Sequence, residues 1–373
     1  MERPLLFKRC PGLEGRLDWI PLGDYPTPVE KMTGLCRSEG FRDFYIKRDD
    51  LSSPHYGGNK VRKLEFILAR AKARGHDCVL TFGAVGSNHV LATVIHGERV
   101  GVKTIAVTFP QPNAAYVRKN LLLDHAHGAA FVNAPSEASI PVAFIKAMSA
   151  GYDPQNRKFP YVIPPGGSNP RGCLGHVNGA LELKGQIDAG LLPKPEFIFV
   201  TLGSSGTAAG LILGAQLAGL ESRIVPVRVV EKPICNRYYL AFHVNMARRF
   251  ILRRCPEMKL HTIRATDILL VDDFAGERYA QFTSEGVEAV RKAREMDGIK
   301  LDGTYTGKTL AGALDFIHRH GLEKRPCLFW NTFNSADLYP RVKDIDYHRL
   351  PPELHQYFEG PMQEEEIGCE VVY

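Results

Sequence analysis

The 373-residue chain lacks the sequence features that define several protein classes. Its eight cysteines stand far apart, with no Cys-x-x-Cys pair and no matching His-x-x-x-His group, so neither a metal site nor a disulfide scaffold is expected. No apolar run approaches the roughly 18 residues of a membrane span, and the N-terminus has no apolar signal core. We therefore expect reduced thiols in a cytoplasmic protein with no membrane partner; an unusual mitochondrial presequence is the alternative.

An excess of charge of one sign is also missing. The chain has 47 Lys and Arg against 41 Asp and Glu, and the basic residues are scattered, so no nucleic-acid partner is expected. Apolar residues at 44% and charged residues at 24% are typical of globular proteins. Because single cores stop growing at about 250–300 residues, this length predicts two domains. The acidic stretch 364–368 is predicted to be a solvated tail.

From residue 61 onward, short β-branched runs alternate with amphipathic segments, which predicts an α/β fold with mostly parallel sheets and flanking helices. We predict a small α/β domain at 61–165, inserted into a larger domain formed by 1–60 and 166–373. The predicted strands are 78–82, 104–109 and 129–132, then a strand from 161 that runs into a connector, then 197–201, 223–230 and 327–330. The predicted helices are 61–71, 89–100, 114–126, 136–149, 174–188, 207–218, 284–296 and 306–320.

A lysine that follows two glycines opens the first of these helices. Gly57 and Gly58 allow a ligand to approach the backbone, while the helix N-terminus and the nearby Arg62 and Lys63 disfavour a further positive charge on Lys60. An amine with a lowered pKa can act as a Schiff-base nucleophile. The alternative is an exposed lysine after a glycine turn.

A loop of small residues, Gly203–Thr207, lies directly between a predicted strand and a predicted helix. Backbone N–H groups, hydroxyls and the helix N-terminus could surround a phosphate there. The glycine spacing differs from that of dinucleotide sites, so a mononucleotide or a phosphorylated cofactor is favoured over NAD. The alternative is a tight strand-to-helix turn with no ligand.

Two further motifs are less specific. Ser87 and Asn88 follow a predicted strand, where they would face a ligand cleft, although the pair fits a plain N-cap equally well. The segment Gly303–Thr309 resembles a nucleotide-binding P-loop but is one residue short between its glycines and follows no convincing strand. We therefore expect no ATP or GTP site there.

Together these segments resemble the fold type II pyridoxal-5′-phosphate (PLP) enzymes, the tryptophan synthase β-like fold, and within them the branch of D-cysteine desulfhydrase and 1-aminocyclopropane-1-carboxylate (ACC) deaminase. The likeness extends from about Leu22 to Leu338. It rests on six segments that match in order: 25–30, 46–51, 57–65, 87–89, 165–168 and 305–308.

The resemblance implies specific roles for twelve residues. Those implied to contact PLP are Lys60 as the Schiff-base lysine, Asn59, Asn88 at the 3-hydroxyl, Gly203, Ser204, Ser205, Gly206 and Thr207 at the phosphate, and Thr306 at the pyridine nitrogen. Those implied to act in catalysis are Lys60, Ser87 near the substrate carboxylate, and the two active-site tyrosines Tyr279 and Tyr305.

Thr306 distinguishes the two activities of this branch. The deaminases have a glutamate at this position, whereas the desulfhydrases have threonine. A carboxylate would favour a protonated ring and a strong electron sink, but a hydroxyl leaves the ring neutral, which suffices when a thiolate leaves. The sequence departs from the pattern of this branch at four places: 331–334, Gly86, Leu91 and 235–262. We expect these differences to surround the substrate.

The sequence thus predicts a homodimeric PLP-dependent lyase that acts on a small amino acid. The expected reaction is β-elimination of D-cysteine, or a related D-amino acid, to pyruvate, ammonia and hydrogen sulfide. One alternative is ACC deamination to 2-oxobutanoate and ammonia. The other is a catalytically silent PLP-binding relative, against which the intact Lys60 counts.

Overall fold

The computed structural model describes residues 3–232 and 235–363, so the predicted acidic tail lies outside the described residues. The described residues form nine strands: β1 Val29–Lys31, β2 Phe44–Arg48, β3 Cys78–Ala84, β4 Lys103–Phe109, β5 Ala130–Asn133, β6 Tyr161–Val162, β7 Phe197–Leu202, β8 Arg223–Arg228 and β9 Cys327–Asn331. They also form twelve α-helices: α1 Leu5–Arg9, α2 Thr33–Glu39, α3 Asn59–Ala73, α4 Asn88–Arg99, α5 Ala115–Ala126, α6 Ile140–Ala150, α7 Pro170–Asp188, α8 Gly206–Ala218, α9 Arg237–Leu252, α10 Ser284–Asp297, α11 Thr306–Arg319 and α12 Gln356–Glu359.

Two open, mostly parallel sheets organise the molecule. The larger sheet has the order β1-β2-β9-β7-β8, and only its edge strand β1 is antiparallel. The smaller sheet, β5-β4-β3-β6, is parallel throughout. Every residue of β9 is buried, because helices cover both faces of a central parallel strand. The predicted fold class is therefore confirmed.

Helix α3 lies between the two hydrophobic cores. Its residues Val61, Leu64 and Ile67 belong to the core of the smaller sheet, whereas Phe66 packs into a core of the larger sheet together with Val177. The first sixty residues contribute β1 and β2 to the larger sheet, as their predicted assignment requires. The proposed domain boundaries stay a prediction.

The observed elements differ from the expected ones mainly where local signals were overlooked. Helix α9 was not predicted, although Leu240, Val244 and Ile251 are buried at helical spacing within a basic segment. Helix α7 begins at Pro170, four residues earlier than expected, because Asn169 caps it by accepting from Gly172 N at 2.8 Å. Strand β8 ends at Arg228 instead of 230. None of the helices in the described part of the chain combines the length and apolar composition that a membrane crossing requires.

Candidate active site

A cavity of about 350 Å³ opens where the carboxyl ends of strands from both sheets meet. Eleven of the twelve residues singled out above line it, so residues far apart in the sequence share one site. These eleven are Asn59, Lys60, Ser87, Asn88, Gly203, Ser204, Ser205, Thr207, Tyr279, Tyr305 and Thr306. Gly206 is not part of the lining.

Lys60 projects from the first turn of α3 into this cavity. The turn requires glycine at position 58, where φ is +88° and a Cβ would lie 2.6 Å from Phe333 O. Lys60 Nζ donates to Asn59 Oδ1 at 2.9 Å, and Asn59 Nδ2 donates to Thr207 Oγ1 at 2.8 Å. The alternative of an exposed lysine is therefore wrong, because the amine faces the cavity.

Burial lowers the pKa of Lys60 to about 8, and the nearby Asp302 carboxyl opposes that effect. The predicted contribution of Arg62 is not seen, whereas Lys60 and Lys63 do disfavour each other's charge. The Arg62 guanidinium instead pairs with Asp49 and Glu182, at 2.7 and 2.9 Å. At neutral pH the amine is thus mainly an ammonium, but the lowered pKa leaves roughly a tenth of it in the uncharged form that a nucleophile requires, far more than an ordinary lysine has.

The loop between β7 and α8 has the features of an anion site. Ser205 adopts φ +68°, and among the described residues its buried Oγ has no hydrogen-bond partner. Ser168 Oγ donates to Ser204 Oγ at 2.9 Å and accepts from Gly206 N at 3.1 Å. Gly206 packs closely against Ser168. A Cβ at Gly206 would lie only 2.6 Å from Ser168 Oγ, so this position requires glycine.

Lys63 is a residue whose importance the sequence did not reveal. It is 1% exposed, and its Nζ donates to Gly166 O at 2.9 Å. The same Nζ would lie 3.0 Å from a Cβ at Gly206, so a second amine lies beside the loop at 203–207. Burial, and then the charge of Lys60, lower the pKa of Lys63 to about 7. Its position three residues after Lys60, on the same helical face, was the available signal.

Asn88 and Ser87 stand at the start of α4, on the side of the cavity formed by the smaller sheet. Asn88 Oδ1 accepts from Tyr56 Oη at 3.0 Å and from Asn120 Nδ2 at 3.1 Å, which leaves its amide nitrogen as the donor available to a ligand. Ser87 Oγ accepts from His89 N at 3.2 Å. Ser87 is thus the N-cap of α4, and both residues also line the cavity; their contact with a ligand stays a prediction.

The two tyrosines of the cavity, Tyr279 and Tyr305, contact each other through their hydroxyl groups. Burial raises the pKa of Tyr279 to about 12 and raises that of Tyr305 well above its ordinary value. Both hydroxyls are therefore protonated at neutral pH and can donate hydrogen bonds.

Thr306 begins α11 and is tied to Asp302, a lining residue that the sequence analysis missed. Thr306 N and Oγ1 donate to Asp302 Oδ1 at 2.7 and 2.5 Å, and Asp302 N donates to Thr306 Oγ1 at 2.8 Å. Burial raises the pKa of the Asp302 carboxyl, while the bonds from Thr306 lower it. The carboxyl thus caps the helix from within the cavity wall.

The local differences from the resembled branch do not all lie at the cavity. Phe333 lines it, together with Tyr239 from the unpredicted helix α9. Leu91, by contrast, belongs to the hydrophobic core, and Gly86 N donates to Gln111 Oε1 at 3.1 Å. The expectation that all of these differences surround a ligand is therefore wrong for Leu91.

Two parallel-rich sheets enclose a cavity lined by Lys60 and by the small-residue loop 203–207, which is the arrangement that the resemblance to fold type II PLP enzymes implies. A family model described as pyridoxal-phosphate dependent enzyme matches residues 20–332, and the chain belongs to that family. The predicted cofactor, pyridoxal 5′-phosphate, is thereby confirmed.

Solved structures agree with this assignment. One described as an ACC deaminase homologue is 30% identical, with a TM-score of 0.75 over 91% of this chain and 98% of that chain. The processed form of threonine deaminase isoform 2 from Solanum lycopersicum is 15% identical, with a TM-score of 0.59 over 92% of this chain and 88% of that one. An L-serine ammonia-lyase from Rhizomucor miehei is 16% identical, with a TM-score of 0.58 over 87% and 98%. The last two share the fold.

Proposed function

We propose that this chain is a PLP-dependent lyase that eliminates thiolate from D-cysteine, or from a related D-amino acid, and releases pyruvate, ammonia and hydrogen sulfide. The observation that carries the proposal is the uncharged Thr306 at the start of α11, on the cavity wall. The Asp302 carboxyl beside it is already engaged by the amide and hydroxyl of Thr306. A weak electron sink at this position suits a good leaving group such as a thiolate.

The residues present fit the cofactor. Ser205 Oγ, without a partner among the described residues, and the amides at the start of α8 would hold the phosphate, and Lys63 Nζ would add positive charge. The oriented Asn88 amide would donate to the 3-hydroxyl. When bound, PLP supplies an aldehyde that reacts with primary amines and a ring that withdraws electrons from the α-carbon.

Lys60 is the residue best placed to move the α-proton. Its amine lies in the cavity, and its pKa of about 8 lets Nζ accept a proton at neutral pH and return it later. The C–H electron pair stays with the substrate carbon, and the C–S pair leaves with sulfur. The leaving sulfur carries negative charge, and the Tyr279–Tyr305 hydroxyl pair on the cavity wall would stabilise it by donating a hydrogen bond.

Ser87 and the N-terminus of α4 would hold the substrate carboxylate. The Ser87 Oγ accepts backbone bonds within α4, which leaves its own hydrogen free to donate to a carboxylate oxygen. The positive end of the helix macrodipole favours an anion at the same place. The homodimer implied by the resemblance stays a prediction.

The alternative activity, ACC deamination, is favoured by the 30% identity to a structure described as an ACC deaminase homologue. The two reactions are distinguished by their products. We expect the purified protein, loaded with PLP, to release pyruvate from D-cysteine faster than 2-oxobutanoate from ACC. The reverse order would replace our proposal by the deaminase, and a PLP-loaded protein that releases neither product would be a silent relative.

A matched pair of variants separates charge from size at position 306. Thr306→Glu places a carboxylate beside the ring, and Thr306→Gln places a side chain of the same size without the charge. We expect glutamate, but not glutamine, to shift the ratio of the two product rates toward 2-oxobutanoate. Equal ratios in the two variants would show that charge at this position does not select the reaction.

A further inference from the structure

Lys308 lies in the segment that resembles a P-loop, and the structure gives it a different environment. Its side chain is 0% exposed and is not part of the cavity lining. The lysine stem passes two glycines: a Cβ at Gly286 would lie 3.1 Å from Lys308 Cγ, and a Cβ at Gly276 would lie 3.4 Å from Nζ. The side chain therefore occupies a narrow internal channel that larger residues would close.

The end of this channel is a single backbone carbonyl. Lys308 Nζ donates a hydrogen bond to Ala275 O at 2.6 Å. Burial lowers the pKa of Lys308 to about 8, while Asp302 and Glu231 oppose that effect, so the amine is mainly an ammonium at neutral pH. A buried charge is retained only where it has a partner, and here the partner is the carbonyl.

Ala275 belongs to the segment 272–283, which carries Tyr279 and contains no helix or strand. The backbone has positive φ at Gly276 (+79°) and Ala280 (+59°). Arg228 donates to Asp272 at one end of the segment, and Gln363 Nε2 donates to Ala280 O at 3.1 Å near the other, so Lys308 holds the part between them. Lys308 lies on the first turn of α11, and Tyr305 is the N-cap residue that directly precedes this helix. The ammonium thus joins the segment of one cavity tyrosine to the helix that begins at the other.

We propose that Lys308 is a positioning residue, an internal cation that fastens segment 272–283 to the first turn of α11 and so holds the Tyr279 hydroxyl against that of Tyr305. It touches neither the cavity nor a ligand, and it acts through Tyr279. The consequence for the reaction rests on the proposed function, whereas the consequence for the segment does not.

The test of the fastening is amide hydrogen exchange in Lys308→Met, which keeps the stem and removes the ammonium. We expect exchange in 272–283 to become at least tenfold faster, with exchange in β7 and β9 unchanged. The control Lys184→Met removes a lysine ammonium that pairs with Asp188 on α7, away from this segment, and should leave the segment as in the wild type. Unchanged exchange in Lys308→Met would overturn the proposal.

Two further measurements separate positioning from general loss of structure. In Lys308→Met loaded with PLP, kcat for D-cysteine should fall about tenfold or more while KM and the cofactor dissociation constant stay within about twofold. Should the methionine variant not fold, Lys308→Gln, which keeps a donor without the charge, enters the same comparison. If segment 272–283 exchanges faster in Lys308→Met but the wild type itself shows no activity on D-cysteine, only the proposed function is contradicted. If kcat in Lys308→Met equals that of the wild type, the positioning role is overturned.

Discussion

At the scale of single residues, burial lowers the pKa of three lysine amines around one site. The pKa values of Lys60, Lys63 and Lys308 are lowered to about 8, 7 and 8, in each case mainly by burial. Only Lys60 lines the cavity, whereas Lys63 Nζ donates to Gly166 O and Lys308 Nζ to Ala275 O. Low pKa alone therefore does not identify the reactive amine, and position does.

Lys60→Ala should abolish covalent attachment of PLP, because only a primary amine in the cavity can react with the aldehyde. Borohydride reduction of the wild type, followed by peptide mapping, should place the label on Lys60. The alanine variant should still bind PLP reversibly through the loop at 203–207. A label on Lys63 or Lys308 would contradict the assignment.

Gly206→Val should weaken PLP binding by more than about 2 kcal/mol, the scale of one or two lost charge-assisted hydrogen bonds. The reason is local, since a Cβ there would lie 2.6 Å from Ser168 Oγ and 3.0 Å from Lys63 Nζ. Gly185→Ala is the control, because a Cβ at Gly185 has no atom within 4 Å. An unchanged dissociation constant in a folded Gly206→Val protein would show that the loop is merely structural.

At the scale of elements, α3 is tied to the N-terminal segment through one buried carboxyl. Glu65 Oε1 accepts from Leu22 N at 3.0 Å and from Gly23 N at 3.2 Å, and Oε2 accepts from Trp19 Nε1 at 3.2 Å. Burial nevertheless raises the pKa of Glu65 from 4.5 to about 7. The folded protein therefore holds this proton more tightly than the unfolded chain does.

This difference predicts how stability depends on pH. The contribution of Glu65 is complete below about pH 4.5 and is lost as the pH rises through about 7, which corresponds to on the order of 3 kcal/mol of unfolding free energy. Glu65→Gln cannot titrate and should remove this part of the pH dependence, at the cost of the bond from Trp19. Urea unfolding at about pH 5 and pH 7 measures it. Parallel profiles for wild type and variant would contradict the expectation.

Most helices and strands could be predicted because the spacing of apolar residues along the sequence reveals them without knowledge of distant contacts. Strands such as β3 and β9 read as short β-branched or apolar runs, and glycines at 75, 101 and 128 end helices with φ near +70°. The three-residue β1 is largely exposed and too short to show a period, and it forms by pairing with β2. Helix α9 does have apolar residues at helical spacing, but they stand within a basic segment and pack against a core that includes α8.

The site could be predicted in part for the same reason. Lys60, Ser87 and the loop at 203–207 stand at strand or helix ends that the sequence marks. Tyr56 and Asn120, which orient Asn88, lie 32 residues from it on either side, and no local pattern connects them. Residues that line the cavity were thus easier to predict than those that orient them.

At the scale of the whole molecule, the cavity is built from both sheets, so the ligand should couple them. Asn88 belongs to the side of the smaller sheet, whereas the loop at 203–207 and Thr306 belong to the larger one. A ligand that binds only the folded protein stabilises it by mass action, about 2.7 kcal/mol at a hundred times its dissociation constant. Removal of PLP should therefore loosen both sheets together.

We expect the PLP-free protein to unfold at a lower temperature and to exchange amide hydrogens faster in both β3 and β7. Returning PLP should reverse both changes in proportion to its concentration. Pyridoxal is the matched control, since it keeps the aldehyde for Lys60 but cannot engage the loop at 203–207, and should restore less of the stability. Equal stabilisation by pyridoxal would show that the loop does not bind the phosphate. Slower exchange in β7 without any change in β3 would show that the cofactor rests on the larger sheet alone, and that the Asn88 side of the cavity serves the substrate instead.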